Sequence, residues 1–342
     1  MITNKIEHLI EAINCIDDFS GTIFIKEKEK VIFEKAYGLA NISFDIKNEL
    51  DTKYGIASGA KLFTAISICK LIDEGKLSFD TLLKDCLNIE FNNFDNRITI
   101  EHLLTHSSGI PDYFSEEDCN KVEEFSELYI NPPMYMIKKP KDHLQMLKNK
   151  TMEFNPGEKF SYNNLGYILL GLIVEEQSGI EFRKYVEENI IKKLGMESTG
   201  YFSMDNLPRG CSYGYTKDIK GKLKTNIYSV PIIGGPDGGI FTNVYDMSKL
   251  WNGLLNFKLL REETTHKLLN PNIHQKNDCY YGYGLYVIKK ENGIYKYFLM
   301  GGDPGAEFMS SVYPNTGIEV VVTCNRDSGA SDAAMAIEKL MC

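Results

Sequence analysis

The sequence predicts an α/β protein of the α+β type. One antiparallel sheet is flanked by N- and C-terminal helices, and a mostly helical lobe is inserted into it. Three observations predict this. Strand-like segments lie near both ends of the chain, at residues 21–37 and 280–323. The stretch between them is mostly helical in pattern as far as Gly195. From about Ser203 the texture changes to strands and glycine-rich turns. Strands at both termini with helices between them are most simply joined in one sheet. The expected partition is a sheet lobe of residues 1–57 and 205–342 and a helical lobe of residues 58–204. The site is expected in the cleft between the lobes. A chain of 342 residues is about two domains' worth of polypeptide.

Each element has a local reason. Residues 1–16 (MITNKIEHLIEAINCI) place Ile6, Leu9, Ile10 and Ile13 at helical spacing, with Glu7, His8 and Glu11 between them. Residues 21–26 (GTIFIK) and 31–37 (VIFEKAY) read as strands joined by a short charged turn, which makes a hairpin. A helix from Ser58 to about Glu74 ends at Gly75, and Leu62, Phe63, Ile66, Cys69 and Ile72 form its buried stripe. Residues 98–105 (ITIEHLLT) predict a short helix. Pro132-Pro133 breaks the chain before a helix around 142–148, and Asn155-Pro156-Gly157 is a turn. Residues 165–177 form an apolar helix closed by Ser178-Gly179, and residues 181–193 a further helix. Residues 232–240 (IIGGPDGGI) are a dense turn. Residues 244–255 are a helix carrying Trp251, the only tryptophan. Residues 280–289, 294–300, 307–313 and 319–323 follow as strands. Pro314-Asn315-Thr316-Gly317 turns the last hairpin, and residues 330–341 close the chain as a helix.

Composition excludes several classes of function. Acidic residues outnumber Lys and Arg by 47 to 38, for a net charge of −9, and no basic run occurs. Such a chain is poorly suited to wrapping nucleic acid or binding anionic lipid. The longest apolar stretch, residues 167–174, falls far short of the roughly 20 residues a membrane helix needs. The first 16 residues are amphipathic and do not read as an export signal, so the expected location is cytoplasmic. Eight cysteines, none spaced C-x-x-C, are expected as free thiols. The expected partner is a small-molecule or short-peptide substrate, without nucleic acid, membrane, metal or cofactor. The oligomeric state is not legible.

Several segments can carry chemistry. Ser58-Gly59-Ala60-Lys61 opens the first long helix. A serine three residues before a lysine shares its helix face, and the helix start adds positive potential and free N–H groups. A lysine held there can act as base for the serine. Alone, Ser58 reads better as a plain helix cap than as a nucleophile, and Ser67-Ile68-Cys69-Lys70 repeats the pattern mid-helix, where no substrate can approach. Tyr162-Asn163-Asn164 lies between a turn and an apolar helix. Its tyrosine can shuttle a proton, and Asn164 can bond a substrate amide or hold the lysine. The same Y-x-N pattern recurs at Tyr129-Ile130-Asn131, and alone Tyr162 reads better as a surface turn tyrosine. Gly301 and Gly302, in residues 300–305 (MGGDPG), allow a ligand close to the backbone, although a tight strand-end turn needs them too. His102 and His106 are four apart but lack the H-E-x-x-H glutamate and a third ligand. Gly210-Cys211-Ser212-Tyr213-Gly214 matches G-x-S-x-G without the preceding strand and following helix of a nucleophile elbow.

In this order, the segments resemble the serine β-lactamase and penicillin-binding-protein-like family. The resemblance is to its class C branch, which includes D-Ala-D-Ala carboxypeptidases, D-aminopeptidases and esterases. It rests on residues 54–65 (YGIASGAKLFTA), 98–113 (ITIEHLLTHSSGIPDY), 154–199 and the glycine-rich segments 234–255 and 301–308. It spans roughly residues 20–325. It implies a β-lactamase/transpeptidase-like fold and a serine hydrolase that works through an acyl-enzyme on an ester or amide. Ser58 would be the nucleophile, and Lys61 and Tyr162 would exchange its proton. Asn164 would contact the substrate amide. The oxyanion would lie between the N–H groups of Ser58 and Gly302, beside Gly301. His106 becomes a structural residue of its turn.

One departure bears on substrate. The resemblance implies a cation or histidine at the end of the strand 294–300, in K-T-G or H-x-G, as in most relatives though not in some esterases; this chain has Leu299-Met300-Gly301 there. Losing a charge-assisted hydrogen bond to a substrate carboxylate costs roughly 1.5–3 kcal/mol, about 10- to 150-fold. That changes the substrate without abolishing acylation. The alternative is a catalytically impaired binding or regulatory protein on the same fold.

Overall fold

The computed structural model describes residues 2–89, 91, 93–113, 133–147, 150–218 and 220–341. Its centre is a sheet of eight strands: β1 (Gly21–Glu27), β2 (Lys30–Tyr37), β3 (Ile273–Lys276), β4 (Cys279–Tyr281), β5 (Tyr286–Lys290), β6 (Gly293–Asp303), β7 (Ala306–Tyr313) and β8 (Ile318–Cys324). Their spatial order is β2-β1-β8-β7-β6-β5-β4-β3. Every neighbouring pair is antiparallel. The N-terminal hairpin therefore joins the C-terminal strands through β1 and β8, in register from Gly21↔Cys324 to Glu27↔Ile318.

The period-2 alternation of strands divides the apolar residues between two faces. Ile23, Ile25, Val320 and Val322 face α1 (Ile2–Asn14) and the C-terminal helix, burying Leu9, Ile13, Ala333 and Ile337. Phe24, Leu299, Phe308 and Val321 enter the larger core on the other face. That core also takes residues from α2 (Lys61–Asp73), α3 (Asn164–Ser178) and α4 (Val244–Leu255). The closing helix is α5 (Ala330–Met341). Trp251 is fully buried on α4, and its indole N–H donates to Ser310 Oγ at 2.8 Å.

Several expected elements come out differently. Residues 280–289 are two strands, β4 and β5, because the chain breaks at 282–285. Gly284 there adopts φ +74°, and a Cβ on it would lie 2.7 Å from the Lys61 carbonyl. Only glycine lets this bend pass so close to α2. Strand β3 was not expected. The helix around 142–148 is a 3-10 helix, Pro140–Leu147. Residues 181–193 form a short α-helix, a π turn (Glu187–Ile191) and a last turn ending at Gly195, φ +64°. Tyr129-Ile130-Asn131, Cys119 and Cys342 lie outside the described residues. The six described cysteines are free thiols. Among the described residues, no helix is long and apolar enough to cross a membrane.

Candidate active site

The helix expected to start at Ser58 begins instead as a 3-10 turn, Ala57–Ala60, that leads into α2. Ala57 holds φ +45°, a left-handed conformation that a side chain normally avoids. Two hydrogen bonds over-determine it: Ile56 N–H to Ile240 O at 3.0 Å and Gly239 N–H to Ala57 O at 3.2 Å. The turn is thus stitched to the glycine-rich loop 234–240, and strain at such a point is stored where geometry matters.

Lys61 is 1% exposed and donates in three directions. Its Nζ lies 3.0 Å from Ser58 Oγ, 2.8 Å from Asn164 Oδ1 and 2.6 Å from the Asp237 carbonyl. A buried cation needs such partners. The loop that supplies Asp237 is fixed by Thr64, whose hydroxyl donates to Pro236 O at 2.6 Å. It also packs on α3, where any side chain at Gly171 would collide with the Pro236 ring.

Tyr162 lies with its ring centroid 4.9 Å from Lys61 Nζ. It is set there by His106. The His106 ring is 4.4 Å from that of Tyr162, and His106 Nδ1 accepts the Asn163 N–H at 3.0 Å. The imidazole proton therefore sits on Nε2. Burial first, then the Lys61 ammonium, holds His106 well below the ordinary imidazole range. The neutral ring also contacts Phe160, Tyr167 and Tyr281. His106 itself has φ +56°, at the end of the short helix Ile100–Leu104. His102 points elsewhere, accepting the Thr99 N–H at the start of that helix.

Strand β6 completes the site. β5 pairs with β6 only up to Tyr286↔Phe298, so Leu299–Asp303 has an edge free of β5. That edge lies along the Ser58 turn. A Cβ on Gly301 would come within 2.3 Å of Ile56 O and 2.9 Å of Ser58 N, whereas a Cβ on Gly302 would meet nothing within 4 Å. Gly301 is the contact and Gly302 the opening. Leu299, where the resemblance led to the expectation of a cation, is 2% exposed and part of the main core.

Among the site residues expected from sequence, Ser58, Lys61 and Asn164 are in direct contact. Tyr162 and Gly301 lie beside them, and Gly302 lies at the open edge. Asn164 Oδ1 holds the lysine, the second of the two roles its position allowed. Sequence reasoning missed Asp112 and Asp237. Tyr113 donates its hydroxyl to Asp237 Oδ2. Asp112 accepts the N–H groups of Asn164 at 2.6 Å and Leu165 at 3.0 Å, at the start of α3. Burial pushes the Asp112 carboxyl up to about 7, against these N–H groups and Lys61. Two decoys resolve physically. Ser67 is fully buried and donates to Phe63 O, and Ser212 Oγ accepts from Asn325 at 2.7 Å.

A family model described as Beta-lactamase matches residues 17–340. A solved penicillin binding protein from Bacillus halodurans is 45% identical, superposes with a TM-score of 0.91, and each chain covers 100% of the other. A D-stereospecific amidohydrolase from Streptomyces shares the fold at 23% identity and a TM-score of 0.81, covering 98% of both chains. Protein flp of Staphylococcus aureus (strain N315) is 28% identical over 80% of this chain and 54% of its own length. The chain thus spans about half the length of the curated relatives it matches. Because the family match runs from residue 17 to 340, it takes in both ends of the sheet as well as the Ser58 turn, and the chain belongs to the Beta-lactamase family.

Proposed function

We propose that the protein is a serine hydrolase that acts through an acyl-enzyme on Ser58, with an ester or amide as substrate. One observation carries this reading: the buried Lys61 Nζ lies 3.0 Å from Ser58 Oγ. Within this reading Ser58 Oγ attacks the substrate carbonyl. Its proton passes to the Lys61–Tyr162 pair and on to the leaving group. Water then attacks the acyl-enzyme, the same pair takes a proton from that water, and a proton passes to Ser58 Oγ as the acyl group leaves as an acid. The oxyanion is bound by the N–H groups of Ser58 and Gly302. The Gly302 position supports this role, because nothing crowds the space beside it. The Streptomyces neighbour, a D-stereospecific amidohydrolase, supports an amide substrate.

Leu299 adds a preference. No cation stands at this position to hold a substrate carboxylate, so an uncharged ester or amide is favoured over a β-lactam or a D-Ala terminus. The test is a panel of p-nitrophenyl esters, amino-acid amides and a chromogenic cephalosporin, run on wild type and Ser58→Ala. Turnover of an ester or amide that disappears in Ser58→Ala supports the reading. Equal turnover by both proteins overturns it. No turnover of any substrate leaves the alternative, a binding protein on this fold. Cytoplasmic location is a further proposal, checked by fractionation of the source cells.

A further inference from the structure

The Asn164 side chain stands between two groups that can each take only one end of an amide. Lys61 is a pure donor and lies 2.8 Å from Oδ1. The Asp112 carboxylate, when ionised, is a pure acceptor; its Oδ2 lies 3.3 Å from Asn164 Nδ2 and 2.6 Å from the Asn164 N–H. The orientation of the amide is therefore fixed by its neighbours. Asp112 is in turn held in place. Its Oδ1 accepts the N–H groups of Leu165 at 3.0 Å and Tyr113 at 2.7 Å, and Lys150 Nζ donates to its carbonyl. A chain of contacts runs from carboxylate to amide to ammonium to hydroxyl: Asp112, Asn164, Lys61, Ser58.

We infer that Asp112 is a positioning residue of the Ser58 site. Its carboxylate holds the Asn164 amide with Oδ1 toward Lys61, and so fixes where Lys61 Nζ stands to exchange a proton with Ser58 Oγ. The inference rests on the proposed reading of Ser58 as nucleophile. Asp112 touches no reacting atom; it acts through Asn164. It also bears on the charge of Lys61, which lies within electrostatic reach. The described groups that face Lys61 include the neutral His106, the Asp237 carbonyl, the rings of Tyr162 and Tyr167, and, on the same residue as that carbonyl, the Asp237 carboxylate that accepts from Tyr113. Removing the Asp112 charge takes away one negative group within reach of the lysine, so the lysine releases its proton at lower pH.

The test measures the rate at which a fluorophosphonate labels Ser58, from pH 5 to 9, in wild type, Asp112→Asn and Asp112→Glu. Misplacing a catalytic group by about 1 Å costs about 100-fold. Asp112→Asn should therefore label about 10- to 100-fold more slowly, with the acid limb of its pH profile moved to lower pH. Asp112→Glu keeps a titrating carboxyl but moves it, so it should lose rate and keep an acid limb that Asp112→Asn lacks in this range. A purely structural role would scale the whole profile and leave its shape unchanged. Labelling within twofold of wild type with the same profile overturns the inference. If neither variant folds, wild type carries the test by NMR. The Asn164 side-chain NH2 resonances should shift as the Asp112 carboxylate titrates, and their invariance overturns the inference. If wild type itself takes no label, the reading of Ser58 fails, which is a distinct result.

Discussion

At the scale of single residues, the site is braced by a buried histidine. His106 is buried, neutral, and braces both Tyr162 and the Asn163 N–H. Its native pKa lies well below the unfolded value near 6.5. Below pH 6.5 the unfolded chain binds a proton that the native chain refuses. Stability contributed by this group is therefore complete above pH 6.5 and falls as pH drops toward the native pKa. The slope is at most ~1.4 kcal/mol per pH unit. Urea midpoints measured from pH 5 to 8 should fall more steeply on acidification in wild type than in His106→Gln. Parallel curves would contradict this account. Ser58 and Lys61 were legible in the sequence because their contact is local, three residues apart on one turn. Asp112 and Asp237 were not. Each reaches the site only after distant segments meet: Asp112 lies 52 residues from Asn164, and Asp237 lies 176 from Lys61.

At the scale of elements, β6 and the Ser58 turn form one unit. Their closest approach is at Gly301, where a methyl group would press on backbone atoms that cannot give way. Gly301→Ala should lower stability by about 1–3 kcal/mol and slow labelling of Ser58. Gly302→Ala has open space and should fold as wild type. Thermal unfolding of the two variants checks this pair, and equal melting temperatures would contradict the assignment of contact and opening. Most of this architecture could be read in advance, because strand alternation and helix stops are local signals. The π turn at Glu187–Ile191 and the break between β4 and β5 could not. Both are set by packing against other elements, as Gly284 is by the Lys61 carbonyl.

At the scale of the whole molecule, the chain closes on itself twice. β1 pairs with β8, and α1 packs with α5 on the face of the sheet away from the main core. Leu9 is fully buried in that smaller cluster. Leu9→Ala should cost about 2–5 kcal/mol of stability. Because the site is built in the other core, the folded fraction should label at the wild-type rate. Slower labelling by fully folded protein would show that the two faces are coupled. This division explains why one sheet serves two purposes: one face joins the ends of the chain, and the other carries the turn, loop and helix around Lys61.

The central claim is that Ser58 is a nucleophile activated by its buried lysine. Intact-mass spectrometry after incubation with a fluorophosphonate or a fluorescent penicillin tests it most directly. The account predicts one covalent adduct with at least one of the two probes, located on Ser58 and missing in Ser58→Ala. An unmodified mass with both probes, or an adduct that persists in Ser58→Ala, would contradict it.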